Sequence, residues 1–142
     1  GNEIVSAAKA LKKKKLLGFL ADQDGYINGL PVPFLGQPSS AVVGPATFAK
    51  KFGSPVVPIF ASRKPEGGHI VHILPPLHYN NSGDDDVDMY TLTEECVRVT
   101  EDFIREHPDE WIWFQHRWMT KMSEIVDYDK KLEVRERAHE KQ

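Results

Sequence analysis

Residues 16–21, Leu-Leu-Gly-Phe-Leu-Ala, form a run with no polar alternation. A strand with one wet face alternates polar and apolar side chains, so this run predicts a strand buried on both faces. Sheets covered on both faces are those of α/β domains, where helices pack above and below. The run stops abruptly at Asp22-Gln23-Asp24-Gly25, a turn-forming sequence.

The flanking segments supply the helices. Residues 2–15 place Ile4, Val5, Ala8 and Leu11 at helical spacing, with Asn2 as the expected N-cap. That helix ends in Lys12-Lys13-Lys14-Lys15. Four lysines complement the dipole at a helix C-terminus. The alternative is that they face an anionic partner, a lipid headgroup surface or an acidic carrier protein. A Gly- and Pro-rich loop follows, containing Val32-Pro33-Phe34-Leu35-Gly36. A long loop with apolar residues of this kind is expected to wall a pocket.

A helix is predicted from Gly44, because Pro45 then falls in the first turn where its missing N–H costs nothing. Gly53 closes it. Residues 55–62 read as a second buried strand, with Pro58 a warning of an edge or bulge. Residues 69–74 return as a third strand, with His69, Val71 and Ile73 on one face and Ile70, His72 and Leu74 on the other. Met89, Leu92, Cys96, Val99 and Phe103 then form a helical stripe. Thr91 and Glu94 have capping-box spacing, so this helix is expected to start at Thr91 or one turn earlier and to end near His107-Pro108. Pro108-Asp109-Glu110 reads as a new first turn leading into an aromatic segment, and residues 127–142 as a charged tail, helical or frayed. The expected order is α-β-α-β-β-α-α. It describes an α/β fold whose sheet contains a parallel βαβ unit and a β-hairpin, flanked by helices.

Composition excludes several classes. With 142 residues, 40% hydrophobic and 27% charged, the chain is long enough for one packed domain and is not of disordered composition. A net charge of −3 gives no electrostatic argument for nucleic acid. The single cysteine, Cys96, excludes an internal disulfide framework and falls on the apolar stripe, where it reads as a core thiol. No apolar run approaches the roughly 20 residues needed to cross a bilayer. Gly1 is followed at once by a helical pattern with no signal peptide, as expected of a piece of a longer chain.

Asp22 and Asp24 lie just past the end of the first predicted strand, where open α/β sheets place their ligands. Arg63 and Lys64 follow the second strand directly, positioned to pair with acids or hold phosphate. In a parallel βαβ unit both sets leave the same sheet edge, so one of the acids, Asp24 before Asp22, is expected to meet Arg63 there. Val32, Pro33 and Phe34 are expected to roof that site. The other groups read as structural. All three tryptophans fall between 111 and 118, and Trp113 and Trp118 are expected to pack the C-terminal helices onto the sheet. Asp84, Asp85, Asp86 and Asp88, with Asn80 and Asn81, lack the spacing of an EF-hand loop and read as a solvated connection. His69 and His72 point to opposite strand faces and do not form a metal pair. Neither a metal nor another cofactor is expected.

Taken in order, these segments resemble the lipid A biosynthesis acyltransferases, the lauroyl/myristoyl transferase family of the glycerolipid-type acyltransferase superfamily. The matching pieces are the Lys-rich helix and strand leading to Asp22-Gln23-Asp24, Val32-Pro33-Phe34-Leu35-Gly36, and Gly44-Pro45-Ala46-Thr47-Phe48-Ala49. They continue with Val57-Pro58 through Ser62-Arg63, Leu74-Pro75-Pro76, and Pro108-Asp109-Glu110-Trp111-Ile112-Trp113 through His116-Arg117-Trp118.

The resemblance implies transfer of a fatty acyl chain from acyl carrier protein, or from CoA, to a hydroxyl of a lipid A precursor. It implies work at the cytoplasmic face of the bacterial inner membrane, with this portion soluble. The superfamily's proton acceptor is a His paired with an acid four or five residues later. None of the six histidines here stands in that block with an acid at that spacing. Residues 1–126 are therefore expected to be the C-terminal portion of an acyltransferase domain, inactive alone, with the His–acid dyad and the family's N-terminal membrane anchor upstream of Gly1. A non-catalytic module binding substrate or carrier is one alternative. An enzyme acylating another glycolipid or glycerolipid, such as a mannoside, is the other. It is disfavoured because Asp22-Gln23-Asp24 stands where glycerolipid enzymes carry Pro-Glu-Gly.

Overall fold

The computed structural model describes residues 2–79 and 81–140, without the side chains of Asn2 and Glu3. The expected Asn2 cap and the connection residue Asn80 therefore lie outside the described groups. Among the described residues there are four α-helices and two small sheets: α1 (Asn2–Lys12), β1 (Leu30–Pro31), β2 (Ser40–Ala41), α2 (Gly44–Phe52), β3 (Ile59–Arg63), β4 (His69–Ile73), α3 (Asp85–Glu106) and α4 (Tyr128–Glu140).

Both sheets are two-stranded and antiparallel, β1 with β2 and β3 with β4. The predicted parallel βαβ unit is absent, because residues 15–20 have no strand partner among the described residues. That segment runs as an open strap beside α2, where Phe19 packs on Phe48 with ring centroids 5.6 Å apart. Leu16 and Leu20 stay 99% and 70% exposed.

Elsewhere local chemistry decides the elements. Pro45 sits in the first turn of α2, and Gly53 ends it in the left-handed region at φ 61°, its amide bonded to the Ala49 carbonyl. Pro55 and Pro58 have no N–H, which delays β3 to Ile59, although the Pro58 and Val56 carbonyls still accept from the Leu74 and Leu77 amides. The hairpin register pairs Ile59 with Ile73, Ala61 with Val71 and Arg63 with His69 on one face, as the alternation predicts. Its other face stacks Phe60 on Phe103 of α3 at 4.4 Å and 9°.

Helix α3 begins six residues before Thr91. Asp84 caps it by accepting the Val87 amide at 3.2 Å, and the Thr91 hydroxyl donates instead to the Val87 carbonyl. Helix α3 packs into two clusters, and of the predicted stripe Leu92 belongs to one of them. One joins Val87, Tyr90, Val97 and Ile104 with Val32, Phe34 and Ala41 of the loop and β2, and with Val134 and Ala138 of α4. The other joins Leu92 with Ala46 and Ala49 of α2.

Candidate functional site

The strap, α2, the segment before β3 and the groove-facing side of α3 enclose an open apolar groove of about 890 Å³. Leu17, Phe19, Phe48, Val56, Phe60 and Phe103 line it, with Cys96 and Val99 of α3 also in its wall. Its charged members are few: Lys14 and Lys15 at the start of the strap, Asp22 at its end, and Glu110. Burial among carbon atoms pushes the Cys96 thiol up to about 12, so it stays protonated and inert.

Asp22 is clamped where the strap ends. Its Oδ2 accepts from Trp111 Nε1 at 3.0 Å and Gln115 Nε2 at 3.2 Å, while Oδ1 meets no donor among the described residues. Trp111 itself lies against Phe34 at 5.4 Å. Asp24, two residues on, does something different. It is 5% exposed, and its Oδ1 accepts from the Tyr26 amide at 2.7 Å and the Thr120 hydroxyl at 2.6 Å. Its Oδ2 accepts from the Thr120 amide at 3.0 Å. Burial alone would raise its pKa, but these bonds and the charge of Arg117 outweigh it and hold the carboxyl below its ordinary value. Gly25 is required beside it, because a Cβ there would run into the Ala41 carbonyl of β2. Its amide bonds the Ser40 carbonyl at 3.0 Å, so the turn carrying Asp24 is pinned to β2.

Arg117 shares that interior at 1% exposure, its guanidinium 4.4 Å over the Phe34 ring and its Nη1 donating to the Ser40 carbonyl at 2.8 Å. Its Nε and Nη2 find no partner among the described residues. Burial pulls its pKa below the ordinary value, and the nearby charges of Asp24, Asp22 and Glu101 offset only part of that.

Arg63 meets neither aspartate. Its Nε donates to Glu110 Oε2 at 3.1 Å, its Nη2 to the Asp109 carbonyl at 3.1 Å, and its amide to Glu110 Oε1 at 2.9 Å. Without a parallel unit, the acids and the arginine have no common sheet edge. They are linked indirectly instead: Glu110 takes Arg63, and the next residue, Trp111, takes Asp22. The expected pocket wall also divides. Val32 and Pro33 line a shallow depression of about 280 Å³ beside Arg98 and Glu101, whereas Phe34 lies in the core at 1% exposure.

Trp113 is not the core residue its type suggests. It is 49% exposed, with Nε1 donating to the Pro108 carbonyl at 2.6 Å. Trp118 packs partly, against Phe34 at 5.8 Å and Trp111 at 5.9 Å. Trp111 and Gln115 lie within the Trp-rich stretch that carries the family resemblance and Thr120 just beyond it, but no spacing in the sequence signals that they hold the two aspartates. Among the described residues no group of three or more His, Cys, Asp or Glu side chains is arranged to hold a metal, and no helix is long and apolar enough to cross a membrane.

The sequence is similar to that of phosphatidylinositol mannoside acyltransferase from Mycobacterium tuberculosis (strain ATCC 25618 / H37Rv), 24% identical over 117 residues. That match covers 82% of this chain and 35% of the relative. The protein of the same name from strain CDC 1551 / Oshkosh is 25% identical over 114 residues, 80% of this chain and 34% of its own length. The chain thus spans about a third of the length of these curated relatives. The family model for the bacterial lipid A biosynthesis acyltransferases matches residues 1–120, from α1 through the Trp-rich segment to Thr120. The chain belongs to the bacterial lipid A biosynthesis acyltransferase family.

Proposed function

We propose that these residues form the acyl-binding part of an enzyme that moves a fatty acyl chain from a thioester, on acyl carrier protein or CoA, to a hydroxyl of a membrane glycolipid. The observation that carries this reading is the apolar groove, within the roughly 300–1,000 Å³ range of ligand sites, bounded by a clamped carboxylate. In the reaction the acceptor oxygen attacks the thioester carbonyl, a new ester C–O bond forms, and the C–S bond breaks. The hydroxyl proton goes to a general base and the leaving sulfur departs as a thiol. No histidine of this chain has the family's acid partner at the required spacing, so that base is assigned to a His–acid dyad outside these residues.

In this reading Asp22 turns its free Oδ1 toward that base or toward the acceptor's hydroxyls. Arg63, hydrogen-bonded to the groove-wall residue Glu110, supplies a cation for a phosphorylated acceptor. Asp24 supports the site by fixing the turn after Asp22. A lipid A precursor and a phosphatidylinositol mannoside both present such hydroxyls and phosphate. The family match favours the first acceptor and the names of the two relatives favour the second.

Calorimetric titration with a long-chain acyl-CoA tests the reading. Saturable one-to-one binding is expected. Val99→Trp, which fills the groove from α3, is expected to weaken it at least tenfold, about 1.4 kcal/mol. Equal affinity in the variant, or no binding by the parent, would refute the assignment.

A further inference from the structure

Beyond the groove, the loop after α3 leaves a run of large apolar side chains uncovered. Ile112 is 61% exposed, Trp113 49%, Phe114 90% and Met119 54%. Large apolar side chains held in water carry an unfavourable hydration free energy that burial would relieve, and they mark an interaction site when they cluster.

The loop is held in place rather than loose. At its base Trp111 turns inward onto Phe34 and donates to Asp22. Glu110, just before it, is tied to Arg63. Trp113 packs edge-on against Trp111 at 4.8 Å, and its one polar atom is satisfied by the Pro108 carbonyl. The tip therefore presents carbon outward, from a run, Ile112-Trp113-Phe114-Gln115, that carries no formal charge.

We propose that the Ile112–Phe114 loop is a membrane-interface anchor that inserts among lipid headgroups and the adjoining acyl carbons. Two observations choose lipid as the occupant. First, Trp113 of the loop packs on Trp111, which is itself part of the groove wall, so the anchor adjoins the groove through that ring pair. Second, the groove's cations are Lys14 and Lys15 at the end of a four-lysine run, complementary to anionic headgroups. Aromatic side chains with a satisfied polar atom and an apolar body are the type that collects at the water–lipid boundary. Docked this way, the groove mouth lies at the bilayer, where an acyl chain or a glycolipid acceptor enters without crossing water. The inference rests on the acyltransferase reading only in expecting a membrane-borne substrate.

Vesicle binding tests it with the 142-residue chain alone. The parent is expected to co-sediment with phosphatidylcholine vesicles, and more strongly when half of the lipid is phosphatidylglycerol. Phe114→Asp and Ile112→Asp are expected to cut partitioning at least tenfold on both compositions, and Phe114→Leu to retain it. Both sites are exposed, so thermal unfolding of the variants is expected to match the parent and shows whether they fold. Lipids brominated on the acyl chain are expected to quench tryptophan emission, and Trp113→Phe to remove most of that quenching.

Three results would overturn the proposal. One is no binding to either vesicle. Another is binding to anionic vesicles alone that survives Phe114→Asp and vanishes with Lys14→Glu and Lys15→Glu. The third is a lipid-free dimer that Phe114→Asp dissociates. Because Phe114→Asp leaves the groove intact, acyl-CoA titration of that variant is expected to be unchanged, so failure of the anchor and failure of the acyl-binding reading give different results.

Discussion

Replacing Asp24 with Ala is expected to be the most damaging single change near the groove, for structural reasons. The carboxylate is 5% exposed and accepts three hydrogen bonds, from the Tyr26 amide, the Thr120 amide and the Thr120 hydroxyl. Tyr26 is exposed, so its amide can turn to water. Thr120 is 8% exposed, so its two donors are left buried and unpaired, at about 1–3 kcal/mol each. Arg117, with two nitrogens that find no partner among the described residues, also loses a neighbouring negative charge. The sum is roughly 3–5 kcal/mol, the usual cost of removing one partner from a buried charged network. At about 2–4 °C per kcal/mol for a chain of this size, the melting temperature should fall by roughly 10 °C. Urea unfolding followed by circular dichroism measures the loss directly. A difference below about 1 kcal/mol, with unchanged slope, would refute the claim that Asp24 locks the turn to the 117–120 segment.

Further outcomes follow from the same geometry. The Asp24 carboxyl has a lowered pKa in the folded state, so its contribution is full above the unfolded value of about 4 and is lost as pH falls below it. Asp24→Asn should therefore flatten the acid limb of a stability–pH curve measured from pH 5 downward, and an unchanged limb would count against the network. Trp113→Ala should cost only about 0.5–1.5 kcal/mol, the worth of an aromatic pair, because the ring is half in water. A loss of about 3–5 kcal/mol in urea unfolding would show instead that it fills a core site. Cys96, with its thiol raised to about 12, should react with a disulfide reagent only when the chain opens, so its labelling rate should rise with denaturant in step with unfolding.

Where local chemistry governs, the sequence was informative. Pro45 and Gly53 bracket α2 because one tolerates a missing donor and the other a positive φ. The alternation in residues 69–73 correctly assigns the faces of β4. Residues 16–21 were misread because apolar composition describes a buried surface, while a strand also needs a hydrogen-bonded neighbour. No described segment supplies one, and the run lines a groove. The parallel unit failed with it. Asp22 was visible from its place after an apolar run. Its donors Trp111 and Gln115 lie 89 and 93 residues away and have no spacing that announces them. Trp113 misled because tryptophan is read as core by type, while its exposure is set by which way the loop turns.

The most direct measurement of the central claim is photo-crosslinking with a long-chain acyl-CoA carrying a diazirine near the end of its chain, followed by mass-spectrometric mapping of the adducts. Adducts confined to groove-wall residues, Leu17, Phe48, Val56 and Phe103 among them, and suppressed by Val99→Trp, are the expected result. Adducts scattered over the surface, or concentrated at residues 112–114 and indifferent to Val99→Trp, would contradict the groove's assignment to the acyl chain.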